Sequence, residues 1–86
     1  MSETIRSEVT GIIEGFARKA GVQGDLDPAA ALHLQGVDSL DMLSVFFKIE
    51  ERYGIVISQE SLERDRWENI DQIVANVGRL VAEKQG

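Results

Sequence analysis

The chain has 86 residues, 43% hydrophobic and 6% aromatic, with no cysteine and with 15 acids against nine Lys and Arg for a formal net charge of −6. That length leaves room for one domain, read here as residues 1–86, and the missing cysteine excludes disulfides and thiolate-bound metal, so apolar packing must hold the fold. The acidic balance and scarce aromatics exclude a phosphate-backbone surface or a base-stacking platform and point to basic protein surfaces as partners.

Along residues 3–20, Ile5, Val9, Ile12, Ile13, Phe16 and Ala20 recur at three- and four-residue spacing, one stripe of a helix. Gly21 supplies a stop, while Gly11 and Gly15 lower the intrinsic propensity and leave stability to packing. Residues 21–38 form a long connection. Gly21, Gly24, Asp25, Asp27 and Pro28 give it turn chemistry, Leu26, Leu32, Leu34 and Val37 are candidate apolar anchors, and residues 29–32 are placed in a short helical turn. A connection of this length carries function or is tied down by its own side chains.

The next helix starts sharply. Asp38 is a good N-cap, Asp41 puts an acid near the positive helix end, and the apolar run continues to Tyr53 before Gly54. At about 100° per residue, Val45, Ile49, Met42, Tyr53 and Phe46 share one arc fit for a core. Leu40, Leu43 and Phe47 form a second stripe beside Ser39, and Asp41, Lys48 and Arg52 fill the polar back. Either the helix is buried on both sides, or the second stripe, rimmed by Glu50 and Glu51, is exposed for a partner. Ile55, Val56 and Ile57 then read as an extended connector, and Ser58 caps a short helix with Glu60 in its first turn. In the last helix, from residue 69 or 70 to 84, Ile70, Ile73, Val74, Val77, Leu80 and Val81 lie on one face. The fold class is all-α, a small four-helix bundle with a long first loop and a short third helix.

Ser39 needs separate weighing. A serine at a helix start is ordinarily the cap, but Asp38 already fills that place. The Ser39 hydroxyl is thereby left free, close to unpaired backbone N–H groups, a setting that suits an attached phosphate. The segment Gly36-Val37-Asp38-Ser39-Leu40, followed by Asp41 and an apolar helix ending Glu50-Glu51-Arg52-Tyr53-Gly54-Ile55, resembles the acyl carrier protein family over nearly the whole chain. The resemblance implies 4′-phosphopantetheine joined to Ser39 by a phosphodiester, placed there by a separate phosphopantetheinyl transferase with help from Asp38. The arm's thiol would hold acyl or aminoacyl groups as thioesters, loaded by a ligase or transferase and passed to a downstream synthase or transferase. Leu40, Leu43 and Phe47 would dock partners, with Asp41, Glu50 and Glu51 as acidic contacts, and the chain would be a non-catalytic, cytoplasmic monomer.

Several positions depart from fatty-acid carriers. Ser44 stands where an acid is common, and Lys48 and Arg52 add positive charge to the docking helix. Gln35 replaces the usual leucine, a place Leu34 is expected to fill. The stretch Leu62-Glu63-Arg64-Asp65-Arg66-Trp67 is similar to one in some aminoacyl and D-alanyl carriers, with Trp67 expected to pack the third helix onto the fourth. Together these favour a specialised carrier. The rival reading is an unmodified acidic adaptor using the Leu40, Leu43 and Phe47 stripe. A serine hydrolase is excluded because no Gly-x-Ser-x-Gly elbow is present and the sole histidine, His33, stands six residues before Ser39. Asp25 and Asp27 lack the twelve-residue pattern of a calcium loop, and no metal is expected. No stretch approaches the roughly 20 apolar residues of a membrane span, and the first residues do not resemble a secretory leader.

Overall fold

A computed structural model describes residues 3–85. Its helices are α1 (Glu3–Lys19), α2 (Ser39–Tyr53), α3 (Gln59–Arg64) and α4 (Ile70–Gln85), with a 3-10 turn at Leu32–Gln35 in the first connection. No strand occurs among the described residues, and the all-α bundle with a short third helix is the architecture expected.

The core follows the helical stripes. Val9, Ile13 and Ala17 from α1, Val45 and Ile49 from α2, and Ile70, Ile73, Val74 and Val77 from α4 are buried together. Ile5, Ile12, Phe16, Leu80 and Val81 flank them, half-buried. Ala20 is exposed, because α1 ends at Lys19 and the chain turns there; Ala17, one turn earlier, takes the inner position.

The first connection is fixed by polar contacts rather than by its apolar side chains alone. Asp27 Oδ1 accepts from the Ala29 N–H at 2.9 Å, which forms a turn beside Pro28. The Leu32 N–H donates to the Glu68 carbonyl at 2.8 Å, and the Asp71 N–H donates to the Pro28 carbonyl at 3.1 Å. These bonds hold residues 28–31 against the start of α4, so the helical turn begins at Leu32, three residues later than expected. Leu26, Leu32 and Val37 are buried as anchors, but Leu34 is 78% exposed and does not fill the place of the missing leucine. Gln35 serves instead through its amide. Oε1 accepts from the Asp27 N–H at 2.7 Å, and Nε2 donates to the carbonyls of Asp27 at 2.9 Å and Ala30 at 3.0 Å. A leucine there would leave those backbone groups to other partners.

The remaining segments are tied to α2. On α1, Glu8 accepts from the Tyr53 hydroxyl at 2.6 Å and pairs with Arg52. The Glu50 carboxylate accepts from the Ile57 N–H at 2.7 Å, which pins the connector in which Ile55 and Ile57 are buried and Val56 is exposed. Ser58 caps α3 by accepting from the Ser61 N–H at 3.0 Å. Trp67 is buried, but its ring meets Phe46 of α2 edge-on, with centroids 5.6 Å apart, and its indole N–H donates to the Ser61 carbonyl at 3.1 Å. Its ring and indole contacts therefore pack α3 against α2, where α4 was the expected partner. Buried Asn76 on α4 is a polar residue that apolar periodicity did not single out; its amide donates to the Arg66 carbonyl at 2.8 Å.

Candidate functional site

Ser39 stands at the first position of α2 because Gly36 and Asp38 before it set the helix entry. Gly36 ends the 3-10 turn in the left-handed region at φ 97°, and a Cβ there would lie 2.9 Å from Val22 Cγ2, so glycine is required on both counts. Asp38 is extended, and its Oδ1 accepts from the Asp41 N–H at 2.9 Å, the capping bond expected of it. With the cap occupied by Asp38, the exposed Ser39 hydroxyl has no hydrogen-bond partner among the described residues. It stands where the uncompensated N–H groups of the first turn create a positive end.

Of the two stripes on α2, the structure separates one inward and one outward. Val45 and Ile49 are fully buried, and Met42, Phe46 and Tyr53 pack against the core. Leu40, Leu43 and Phe47 are exposed at 75%, 50% and 62%, which settles the choice in favour of an outward stripe. An open groove of about 300 Å³ runs beside Ser39, lined by His33, Val37, Met42, Leu43, Phe46 and Leu62 along with Asp38 and Ser39.

The acids predicted to rim the stripe occupy different situations. Glu51 is exposed and pairs with Lys48 at 3.3 Å, a contact that water leaves weak. Asp41 is half-buried in the first turn of α2. Glu50 has its carboxylate on the Ile57 N–H, so part of its acceptor capacity is spent inside the chain. Arg52 points to Glu8, which leaves Lys48 as the added positive charge beside the stripe. Leu34 and Val56 are further exposed apolar residues that sequence patterning did not assign to the surface; the sign for Val56 was its place between inward Ile55 and Ile57.

Among the described residues no base is hydrogen-bonded to Ser39. His33 lines the same groove, yet no hydrogen bond joins the two side chains. No group of three or more His, Cys, Asp or Glu capable of holding a metal ion occurs among the described residues. Among those residues no helix is long and apolar enough to cross a membrane. The arrangement suits attachment of a phosphate-bearing group: an accessible, unpartnered hydroxyl, a helix start behind it and an apolar groove alongside.

Comparison with known proteins agrees with that chemistry. The family model described as the phosphopantetheine attachment site matches residues 10–77, a span that includes the groove, Ser39 and all of α2. No curated protein and no solved structure matched the chain.

Proposed function

The chain belongs to the phosphopantetheine attachment site family, whose domains carry covalent 4′-phosphopantetheine, and on that premise we propose that Ser39 is the attachment residue of a carrier for acyl or aminoacyl groups. The observation that carries this reading is the exposed, unpartnered Ser39 hydroxyl at the start of α2, inside the matched span. The group supplies a terminal thiol that holds cargo as a thioester. Ser39 Oγ provides the oxygen of the phosphodiester. Asp38 keeps that oxygen free by taking the capping role itself, and its remaining acceptor capacity would help place the metal and phosphate in the complex with the transferase. Pantetheinylation and cargo chemistry belong to separate enzymes in this reading, since Ser39 has no base to activate it.

Those partners comprise a phosphopantetheinyl transferase, a loading ligase or transferase, and a downstream synthase or transferase. Leu40, Leu43 and Phe47 supply the apolar contact, with Asp41, Glu51 and the outer edge of Glu50 meeting basic residues. Lys48 within this surface supports partners other than those of housekeeping fatty-acid synthesis. Residues 1–86 act as one carrier domain, monomeric and cytoplasmic.

Incubation with coenzyme A and a broad-specificity transferase tests the attachment. The expected result is a mass gain of about 340 Da on the wild type and none on Ser39→Ala. An unchanged wild-type mass would leave the unmodified adaptor as the better reading.

A further inference from the structure

The residues around the Ser39 groove bear on where the cargo lies. Met42, Phe46 and Leu62 form the groove's inner wall, and the same three side chains line a second cleft on the far side, where Trp67 lies. That second cleft is bordered by Glu63, Asp65, Arg66 and Glu68. An apolar chain passing the wall in that direction would emerge among charges. Deeper in the bundle, Val45, Ile49 and Val74 are at most 1% exposed.

The wall is also braced. Trp67 backs Phe46 edge-on at 5.6 Å and is held by its indole bond to the Ser61 carbonyl. The backbone on either side of Trp67 is tied down as well. The Arg66 carbonyl accepts from Asn76 at 2.8 Å, and the Glu68 carbonyl accepts from the Leu32 N–H at 2.8 Å. Swinging Phe46 aside would require moving a tryptophan fixed at three points. Buried polar groups deprived of their partners in that movement would oppose it.

We infer that the Phe46–Trp67 pair makes this a carrier that holds its acyl or aminoacyl cargo outside the bundle, because it closes the path from the Ser39 groove inward. This rests on Ser39 as the attachment residue. The groove, about 300 Å³ and open to solvent, lies at the small end of ligand sites. Phe46 and Trp67 are thereby positioning residues that set where the cargo lies without touching the reacting thioester.

The test loads the wild type from acetyl- and octanoyl-coenzyme A with a broad-specificity transferase and follows thioester cleavage by hydroxylamine. Each rate is referred to that of the same thioester on free coenzyme A. The expected result is that both protein-bound thioesters are cleaved at rates within about twofold of each other, as for chains that stay outside. The sole tryptophan, Trp67, reports the wall directly, and its emission maximum should be the same in the apo, acetyl and octanoyl forms. An octanoyl thioester protected about tenfold or more, with a shifted Trp67 emission, would mean the chain spends most of its time inside and would overturn the inference. Phe46→Ala should confer protection on the octanoyl form; a folded Phe46→Ala protein without it would overturn the role given to Phe46. Absence of any mass gain on loading would remove the attachment reading and this inference together, whereas loading with octanoyl protection removes the inference alone.

Discussion

Tyr53 is the residue whose chemistry is most altered by its surroundings. Burial, and then its hydrogen bond to Glu8, push its phenol up to about 12. Glu8 moves the opposite way: the Tyr53 hydroxyl first, and the Arg52 guanidinium second, hold its carboxyl below the usual range. The signs follow from which form each fold contact favours. Tyr53 keeps its proton more tightly when folded, so its contribution to stability is complete below about pH 10, the ordinary phenol value, and is lost as pH rises toward about 12. Glu8 binds its proton less tightly when folded, so its contribution is present above the ordinary carboxylate range and is lost as pH falls below it. The tie between α1 and the end of α2 is therefore intact throughout the neutral range. Because Tyr53 is the sole tyrosine, ultraviolet titration reads it alone. The midpoint should lie near 12 in the wild type and move down in Glu8→Gln, while staying above the ordinary phenol value because burial remains. A midpoint unchanged by Glu8→Gln would show that the Tyr53–Glu8 bond does not persist in solution.

At the scale of one element, α2 works because its two apolar stripes do different things. Ile49 is fully buried, so Ile49→Ala should cost about 2–5 kcal/mol of unfolding free energy. Leu43 and Phe47 are half to two-thirds exposed, and Leu43→Glu or Phe47→Glu should change stability by about 0.5 kcal/mol or less while weakening transferase binding. Chemical denaturation followed by circular dichroism, alongside the rate of pantetheinylation, separates the two effects. Loss of the fold in Leu43→Glu would place that side chain in the core. The division between the stripes was only half legible in the sequence. Periodicity identified both of them, but a period says which residues share a face and not whether that face is covered. The capping by Asp38, and hence the free Ser39 hydroxyl, was legible because a cap is a local event within four residues. The first connection was less so. The turn moved to Leu32–Gln35 because Leu32 bonds to Glu68 and Pro28 to Asp71, far along the chain, and Gln35 became a polar clamp on Asp27 and Ala30 earlier in the same connection. Leu34 looked like an anchor by composition, yet nothing local decides on which side of a 3-10 turn a leucine falls.

Over the whole molecule, the proposed choice of one serine of six as the attachment point turns on how differently the six are placed. Ser2 lies outside the described residues. Ser7 and Ser44 sit inside α1 and α2, where neighbouring N–H groups are already bonded along the helix. Ser58 spends its hydroxyl on the Ser61 N–H, and Ser61 is buried. Ser39 alone among the described serines is exposed, unpartnered and at the positive end of a long helix. The absence of cysteine turns this into a count. Before modification the chain has no thiol, so a chromogenic disulfide reagent should react with none. After loading from coenzyme A, and removal of free coenzyme A, the expected yield is one equivalent per chain, falling back to zero once cargo occupies the thiol. Ser39→Ala should stay at zero throughout. Two equivalents on the wild type, or one on Ser39→Ala, would mean that a second serine accepts the arm and that helix position and accessibility do not select the site. With a single equivalent, every thioester formed on the protein must sit on the arm, since no side chain of the chain competes for the cargo.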